Sequence, residues 1–312
     1  MANFKSILKR KKGNTDALKK RIESQKKSKY DDDRKWQYEL DKKGMASAVL
    51  RFLPASSKDI DYEIAKDENL DQDEIPFWTS KFEHQFKQNG KWFNSVCPTT
   101  FGDECPVCTY NSDAIADTGL EFTELPDSSA VKQGVRNRSR KLKYFANVLI
   151  VKDPKNPHNE GKVFVLEYPK TIQGYIEAKL FPEFDDDESS DVSDLFTGCN
   201  FKLKVYKNKA KEVKYDRCEW DVPSAISEDE AELEKIWSSE FCLNDFTGDS
   251  VKPDPAEMEK QLNRVLGQGK ADKAVKEAKK DQEKEDLPAT PDAEPAPDGD
   301  SDDDDFMNSL LE

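Results

Sequence analysis

The chain has 312 residues, of which 36% are charged, and a formal net charge of −15. This length allows one large domain or two ordinary ones with extensions, and the high charged fraction predicts that part of the chain lies outside any packed core. No apolar run approaches the ~20 residues of a membrane-spanning helix, and residues 1–12 lack the continuous apolar segment of a secretory signal. We therefore expect a cytosolic protein, in which structural disulfides are rare.

The charge is distributed unevenly along the chain. Residues 1–30 carry eleven Lys/Arg and two acidic residues, a net of +9, whereas residues 281–312 carry thirteen Asp/Glu and one lysine, a net of −12. Two internal stretches are also basic: 131–144 has six Lys/Arg and no acidic residue, and 201–217 has seven Lys/Arg and two acidic residues. The acidic average therefore does not exclude a polyanionic ligand such as nucleic acid.

In chain order, the local patterns predict mostly strands. Residues 1–30 form a basic arm, and strands at 36–40 and 48–54 are separated by a turn at 42–44. Strands at 81–86 and 91–96 flank Asn89-Gly90, a strong hairpin signal. Strands follow at 142–153, 161–169 and within 200–220, with helices at 170–180 and 228–241. An acidic polar connection is predicted at 59–76, and a partly helical linker follows Asp254. The fold class is mainly β with peripheral helices.

Three of the six cysteines, Cys97, Cys105 and Cys108, lie within twelve residues. The Cys-x2-Cys pair at 105 and 108 places two thiolates on one tight turn, which suits a tetrahedral metal. Cys97 and His84 complete a His-x12-Cys-x7-Cys-x2-Cys set, whose three thiolates favour zinc over calcium or magnesium. Because four protein ligands leave no open coordination position, we predict one structural Zn²⁺ ion.

Two other interpretations of the cysteine cluster stay open: a thioredoxin-like redox pair and a chance group of core cysteines. The redox pair requires a strand–helix junction in a βαβ context, and it leaves Cys97 and His84 unexplained. A zinc deaminase needs an open metal position and a His-x-Glu sequence, whereas His84 is followed by Gln85-Phe86. No catalytic residue is predicted. Outside the cluster, Cys199, Cys218 and Cys242 are expected to be small core residues and His158 a surface residue.

The two internal basic stretches combine cations with aromatic residues on predicted strands. Cations that follow phosphates, and rings on which bases stack, are typical of single-strand binding. In the second stretch Phe201, Leu203 and Val205 alternate with polar residues, which predicts one buried and one basic face. The predicted DNA-binding residues are Arg136, Arg138, Arg140, Lys141, Lys143, Tyr144, Phe145, Tyr168, Lys202, Lys204, Tyr206, Lys207, Lys209, Lys214 and Tyr215.

Taken together, the motifs resemble the single-stranded DNA-binding, or helix-destabilising, proteins of T-even-type bacteriophages. The resemblance is carried by His84 with NGKW at 89–92, CPVC at 105–108, YFANVLIVKDP at 144–154, NEGKVF at 159–164, AVLRFLP at 48–54, NFKLKV at 200–205 and DDDDFMNSLLE at 302–312. It implies an OB-fold barrel core at 31–254 with an inserted zinc subdomain at about 82–112 and a DNA cleft between them. A basic N-terminal arm at 1–30 and a linker with a disordered acidic tail at 255–312 would flank this core.

The same resemblance implies a function and its partners. The protein would cooperatively coat and protect single-stranded DNA during phage DNA replication, recombination and repair, and destabilise duplexes, in the cytoplasm of the infected bacterial host. Self-association along the DNA would use Lys9, Arg10, Lys11 and Lys12 of the arm. Phage DNA polymerase, helicase loader, primase and recombination proteins would bind the tail through Asp302, Asp303, Asp304, Asp305, Phe306, Leu310 and Leu311. No membrane partner is implied. The alternative is a zinc-ribbon module that binds proteins and not DNA.

Overall fold

The computed structural model describes residues 32–184 and 188–267, and in this part of the chain nine strands form one mixed sheet. The strands are β1 (Lys35–Trp36), β2 (Met45–Phe52), β3 (Trp78–Gln88), β4 (Lys91–Val96), β5 (Arg140–Lys152), β6 (Val163–Pro169), β7 (Cys199–Lys207), β8 (Val213–Lys214) and β9 (Glu219–Pro223). The helices are α1 (Ser57–Lys66), α2 (Pro106–Ala116), α3 (Ala130–Arg138), α4 (Lys170–Leu180), α5 (Glu230–Ser238), α6 (Asn244–Thr247) and α7 (Pro255–Leu266). The predicted basic arm and acidic tail, including residues 9–12 and 302–311, lie outside the described residues.

The sheet has the order β1-β6-β5-β2-β7-β8, with β3 and β4 attached through β5 and with β9 paired to β7. Strand β1 runs parallel to β6, and the other pairs are antiparallel. The predicted mainly-β class with peripheral helices is confirmed. Within residues 32–184 and 188–267, no strand pair closes the sheet. None of the helices in these ranges is long and apolar enough to cross a bilayer.

Strand β5 connects the two parts of the sheet. Along one edge, its residues 140–146 pair with β3 and its residues 148–152 pair with β2. Its other edge pairs with β6 over residues 143–149. Thirteen residues of one strand therefore carry both the β3–β4 hairpin and the larger part of the sheet.

Two hydrophobic clusters lie on one face of this sheet. The main cluster centres on Leu50, Phe52 and Phe201, and residues 146, 148 and 150 of β5 belong to it. A second cluster includes Phe86 and Phe93 from the hairpin together with the cysteines at 97 and 105. Because residues two apart on a strand point to the same face, the even-numbered residues of β3 and β5 contribute to both clusters.

The hairpin forms as its sequence predicts, and it also holds the end of α7. Asn89 and Gly90 have φ angles of 51° and 74°, as a two-residue type I′ turn requires. The side-chain amide of Asn89 donates to the carbonyl oxygens of Val265 and Leu266, each at 3.1 Å. Lys91 Nζ donates to the carbonyl of Arg264 at 3.0 Å. These bonds satisfy carbonyl groups that a helix C-terminus leaves without partners.

Helix α7 corrects the predicted domain boundary at Asp254. Its residues Met258, Leu262 and Val265 are buried in the second hydrophobic cluster. Their spacing of four and three places them on one helix face, which packs against the hairpin. The packed part of the chain therefore includes this helix, because it buries its apolar face despite its polar composition.

Some of the other local predictions are confirmed, and others are wrong. The helices predicted at 170–180 and 228–241 form as α4 and α5, and His158 is exposed. The strand predicted at 36–40 is limited to the two residues of β1. The acidic connection predicted at 59–76 contains most of α1. This helix begins where the Ser56 hydroxyl accepts a hydrogen bond from the backbone N–H of Asp59 at 3.2 Å.

Glu240, after α5, is a buried carboxyl group without a hydrogen-bond partner for either side-chain oxygen among the described residues. Burial and the nearby Asp59 raise its pKa to about 9. An ordinary glutamate has a pKa of about 4.3, so at neutral pH the folded protein holds a proton that the unfolded chain releases. The stability that Glu240 contributes is thus greatest below about pH 4 and is lost as the pH rises towards 9.

We expect Glu240→Gln to raise the free energy of unfolding at pH 7 by up to about 3 kcal/mol, because glutamine keeps the shape without an ionisation equilibrium. Thermal unfolding at pH 5, 7 and 8.5 measures the effect, and the difference in Tm from the wild type should widen as the pH rises. Glu234→Gln, at an exposed position of α5, is the matched control. A pH-independent difference for Glu240→Gln would contradict the expectation.

Candidate metal centre and nucleic-acid interface

The side chains of His84, Cys97, Cys105 and Cys108 converge, with all four ligand atoms within 4.8 Å of one another. Nε2 of His84 lies 3.3 Å from Sγ of Cys105 and 3.6 Å from Sγ of Cys108, and Sγ of Cys97 lies 3.8 Å from Sγ of Cys108. Metal–ligand distances of a tetrahedral zinc site place neighbouring ligand atoms roughly 3.5–3.8 Å apart. All six cysteines are free of disulfides. The cluster can therefore hold one metal ion.

Three elements bring these four residues together. His84 lies on β3, opposite Ser95 of β4 and Arg140 of β5. Cys97 follows β4 directly, and its backbone N–H donates to the carbonyl of Phe82 at 2.8 Å. Cys105 and Cys108 begin helix α2, where a proline at the first helical position favours the helix start. The predicted ligand set is thus assembled by a hairpin and a helix N-terminus.

The orientation of the His84 ring is set by a backbone group. Its Nδ1–H donates to the carbonyl oxygen of Arg138 at 2.8 Å, which leaves Nε2 directed at the thiols. Such a second hydrogen bond is the usual way in which proteins fix the tautomer of a metal-binding histidine. The buried side chain of Arg138 donates from Nε to Oδ1 of Asn111 at 2.8 Å. Its burial contradicts the prediction that Arg138 contacts DNA, and its bond to Asn111 instead links α3 to α2.

The cluster also perturbs the ionisation of its members. Burial opposes the charged form of His84, but hydrogen bonds with Cys105 and Cys97 outweigh it and raise the pKa of the imidazole to about 9. Hydrogen bonds from Cys105 and Cys108 hold the pKa of the Cys97 thiol below its usual value. Hydrogen bonds with Cys105 and Cys97 instead raise the pKa of the Cys108 thiol, so the thiols of the cluster do not ionise alike, and the thiolate is the form that binds a metal.

Between the two hydrophobic clusters, β3 and β5 expose a strip of mixed residues that we call the central strip. It consists of the cross-strand pairs Ser80–Tyr144 and Phe82–Leu142, followed by Arg140 beside His84. Ser80 is exposed, and the other four members are half-buried. The main core lies at one end of the strip and the metal cluster at the other, so the strip separates the two clusters.

Arg140 and Tyr144 are the cationic and aromatic groups of the central strip. The Arg140 guanidinium lies 4.2 Å from the ring centroid of Phe82 and donates to Oγ1 of Thr99 at 2.7 Å. Tyr144 stacks on the ring of Tyr168, with a centroid distance of 5.6 Å and an interplanar angle of 17°. The cation–π contact and the ring stacking hold both side chains in place, so these side chains lose little conformational entropy when a ligand binds.

Strand alternation divides the first basic stretch between two faces. Lys141, Lys143 and Phe145 point away from the central strip, on the opposite face of β5. Phe145 is fully buried there beneath Phe246 of α6, and Tyr168 is buried in the main core. These burials contradict the prediction that Phe145 and Tyr168 stack on bases. Lys143 Nζ lies 3.8 Å from Glu167, and Arg136, on α3, lies 3.2 Å from Asp127.

The structure confirms the predicted alternation of buried and polar residues in the second basic stretch, 201–217, but its lysines have acidic neighbours. Phe201, Leu203 and Val205 are buried. Strand β9 pairs with β7 and brings Asp221 to 3.1 Å from Lys202 and Glu219 to 2.6 Å from Lys204. The hydroxyl of Tyr206 donates a hydrogen bond to Asp216 at 3.0 Å, and the hydroxyls of Tyr215 and Tyr38 are hydrogen-bonded at 2.8 Å. Lys214 Nζ lies 3.6 Å from the carboxylate of Glu212. The last two predicted residues, Lys207 and Lys209, are exposed. This face is less positive than its sequence indicates.

The sequence interpretation missed Phe82 and Thr99. Phe82 lies two residues before His84 on the same strand, so the period of a strand places it beside the metal cluster. Thr99 Oγ1 lies 3.1 Å from Sγ of Cys97 and accepts the bond from Arg140. The strand period could have identified Phe82, whereas no pattern in the sequence indicates the contact between Thr99 and Arg140.

The described residues thus form a mainly-β protein with one mixed sheet, a Cys3His cluster that can hold a metal ion, and a strip that joins Arg140 to the rings of Phe82 and Tyr144. A family model described as "gp32 DNA binding protein like" matches residues 44–266, and the chain belongs to this family. It is 32% identical over 259 residues to the single-stranded DNA-binding proteins of Enterobacteria phages T4 and T2, over 80% of this chain and 77% of each relative. It is 36% identical over 84 residues to the single-stranded DNA-binding protein of Escherichia phage SV14, over 26% of this chain and 61% of that relative. The resemblance inferred from the motifs is confirmed.

Proposed function

We propose that this protein binds single-stranded DNA along the central strip, and that it coats and protects the strand during phage replication, recombination and repair in the cytoplasm of an infected bacterial host. The central strip carries the proposal, because it places Arg140 and Tyr144 on one open face between two packed clusters. The names of the relatives support the choice of ligand. A base stacked on Tyr144 and a phosphate beside Arg140 use the two interactions that single-strand binding requires. The protein acts by binding, without catalysis.

We propose that the metal is one zinc ion, held by His84, Cys97, Cys105 and Cys108. The three thiolates and one imidazole are soft ligands that suit zinc. When bound, zinc would supply a structural link between β3, the end of β4 and α2. The bond from Arg140 to Thr99 then connects this segment to the central strip, so the metal supports the interface without touching the DNA.

We further propose that the main cluster and the strands around it correspond to the OB-fold barrel that the resemblance implies. In support of this, β2 pairs with both β5 and β7, and β5 pairs with β3 over its first part and with β2 over its last part. The central strip would then lie where this barrel meets the metal segment. An experimental structure with bound oligonucleotide tests both statements together.

A filter-binding comparison of oligo-thymidine with duplex DNA of equal length tests the function. We expect tighter binding of the single strand, with an affinity that falls by about 0.7 log units per phosphate contact for each log unit of salt. Preferential binding should also lower the melting temperature of a duplex by mass action. Absence of oligo-thymidine binding in dilute buffer would refute the proposal and favour the zinc-ribbon alternative.

For the two ends of the chain we propose the roles that their charges suggest. The arm, with residues 9–12, would contact a neighbouring copy and make binding cooperative. The tail, with the acidic residues 302–305, would occupy the cationic interface when DNA is absent. Its apolar residues Phe306, Leu310 and Leu311 would then recruit polymerase, helicase loader, primase and recombination proteins once DNA displaces the tail.

Truncation after Asp286 is expected to tighten single-strand binding and to weaken its inhibition by salt, because it removes a competing polyanion. Fluorescence anisotropy with labelled oligo-thymidine at several salt concentrations measures both changes. The double variant Leu310→Ala/Leu311→Ala keeps the tail charge and should bind DNA as the full chain does. An unchanged affinity after truncation would reduce the tail to a solubilising extension.

A further inference from the structure

The β3–β4 hairpin carries an exposed tryptophan on the face opposite the metal cluster. Trp92 is 60% exposed, whereas Trp36, in the main core, is 4% exposed. Its direct cross-strand partner is Lys87, whose Nζ lies 5.8 Å from the centroid of the indole ring. A large ring left open to solvent beside a cation is costly to hydrate, and it offers a flat surface for stacking.

Polar and cationic side chains continue this face along the hairpin. Gln85 and Asn94 form the next exposed pair towards the sheet, and Lys141 of β5 follows opposite Glu83. Alternation places these side chains on the same side as Lys87 and Trp92. We call this surface the outer hairpin face; its members are Trp92, Lys87, Gln85, Asn94 and Lys141. At the far end of this face, Lys81 Nζ lies 2.9 Å from the carboxylate of Glu83 and offsets its negative charge.

The chemistry of this face fits a nucleic-acid strand better than a protein. The buried core of a protein–protein interface is apolar and poor in charged residues, whereas here one ring stands among amides and lysines. Amide groups, lysines and an open ring together match base edges, phosphates and a base plane. The lysines also match the charge of a polyanion.

We propose that the outer hairpin face is a second contact surface for single-stranded nucleic acid, on which a base stacks against Trp92 while Lys87 and Lys141 contact flanking phosphates. This inference rests on the proposed function and extends it beyond the central strip. Arg140 of the central strip and Lys141 of the outer hairpin face are consecutive residues of β5, so the two surfaces lie on opposite faces of the same strand.

The test is the length dependence of binding, measured by anisotropy on oligo-thymidines of increasing length. Oligonucleotide is kept in excess, so that each strand holds one copy of the full-length protein. For Trp92→Ala we expect wild-type affinity for the shortest oligonucleotides that bind, and a loss of about 5- to 150-fold once the strand is long enough to reach the hairpin. Trp92→Phe keeps a ring and should recover most of this loss. Lys87→Ala should reduce the salt slope by about 0.7 on long strands only.

Two controls match these variants. Trp237→Phe removes an indole on α5 that is 36% exposed, and Lys162→Ala removes an exposed lysine near β6. Neither should change the length dependence. Wild-type binding of all lengths by Trp92→Ala would overturn the inference, as would a change in self-association without a change in DNA binding. If the wild-type protein binds no oligonucleotide, the proposed function itself fails.

Discussion

Replacement of Cys105 by serine is expected to abolish metal binding and to unfold the segment from His84 to Tyr110. Sγ of Cys105 lies 3.3 Å from Nε2 of His84, and the residue is buried in the second hydrophobic cluster. Binding energy at a structural zinc site is folding energy, about 10–16 kcal/mol in isolated zinc-finger peptides, so its loss should exceed what this small cluster can supply. We expect Tm to fall by well over ten degrees. Single-strand affinity should fall too, because Thr99 no longer positions Arg140.

Metal content by mass spectrometry, thermal unfolding by circular dichroism and oligo-thymidine binding give three readings of the same variant. Cys242→Ser is the matched control, since Cys242 is also a free thiol but lies near Asp59, away from the cluster. It should retain the metal and the DNA affinity. Full zinc occupancy in Cys105→Ser would show that the ligand assignment is wrong.

The second large effect is expected from Tyr144→Ala, which should weaken oligo-thymidine binding by about 1–3 kcal/mol, or roughly 5- to 150-fold. The ring is half-buried and held by its stack on Tyr168, so its removal takes away an ordered platform for a base. Tyr144→Phe keeps the ring and should bind nearly as the wild type does. If the alanine variant and the wild type bind oligo-thymidine with equal affinity, the central strip is not the binding surface.

Arg140→Ala extends this test to the phosphates. The salt slope of binding should decrease by about 0.7 if the guanidinium meets one phosphate. Lys202→Ala is the comparison, because Lys202 lies 3.1 Å from Asp221 and its charge is already offset. If Lys202→Ala decreases the salt slope more than Arg140→Ala does, the DNA interface lies on β7 and not on the central strip.

Features with a local physical cause could be predicted from the sequence. The hairpin follows from Asn89-Gly90, since few other dipeptides accept positive φ at both positions. The alternation of β7 follows from the two-residue period of a strand. The metal cluster follows from the spacing of its ligands and from the short loop that this spacing imposes.

Features that depend on distant segments could not be predicted. Phe145 is buried because α6, about one hundred residues later, covers it. The lysines of β7 are offset because β9 pairs with that strand. Helix α7 has a polar composition, and only its contact with the hairpin shows that it belongs to the folded part of the chain. Tertiary packing, rather than local propensity, decides which of the predicted residues reach the surface.

The capping of α7 by the hairpin has a mechanical consequence. Asn89 and Lys91 donate to the last carbonyl groups of this helix, which ties its C-terminal end to the hairpin that carries His84. A force applied at the C-terminal end of α7 would therefore reach the β3–β4 hairpin and the metal cluster before the larger part of the sheet.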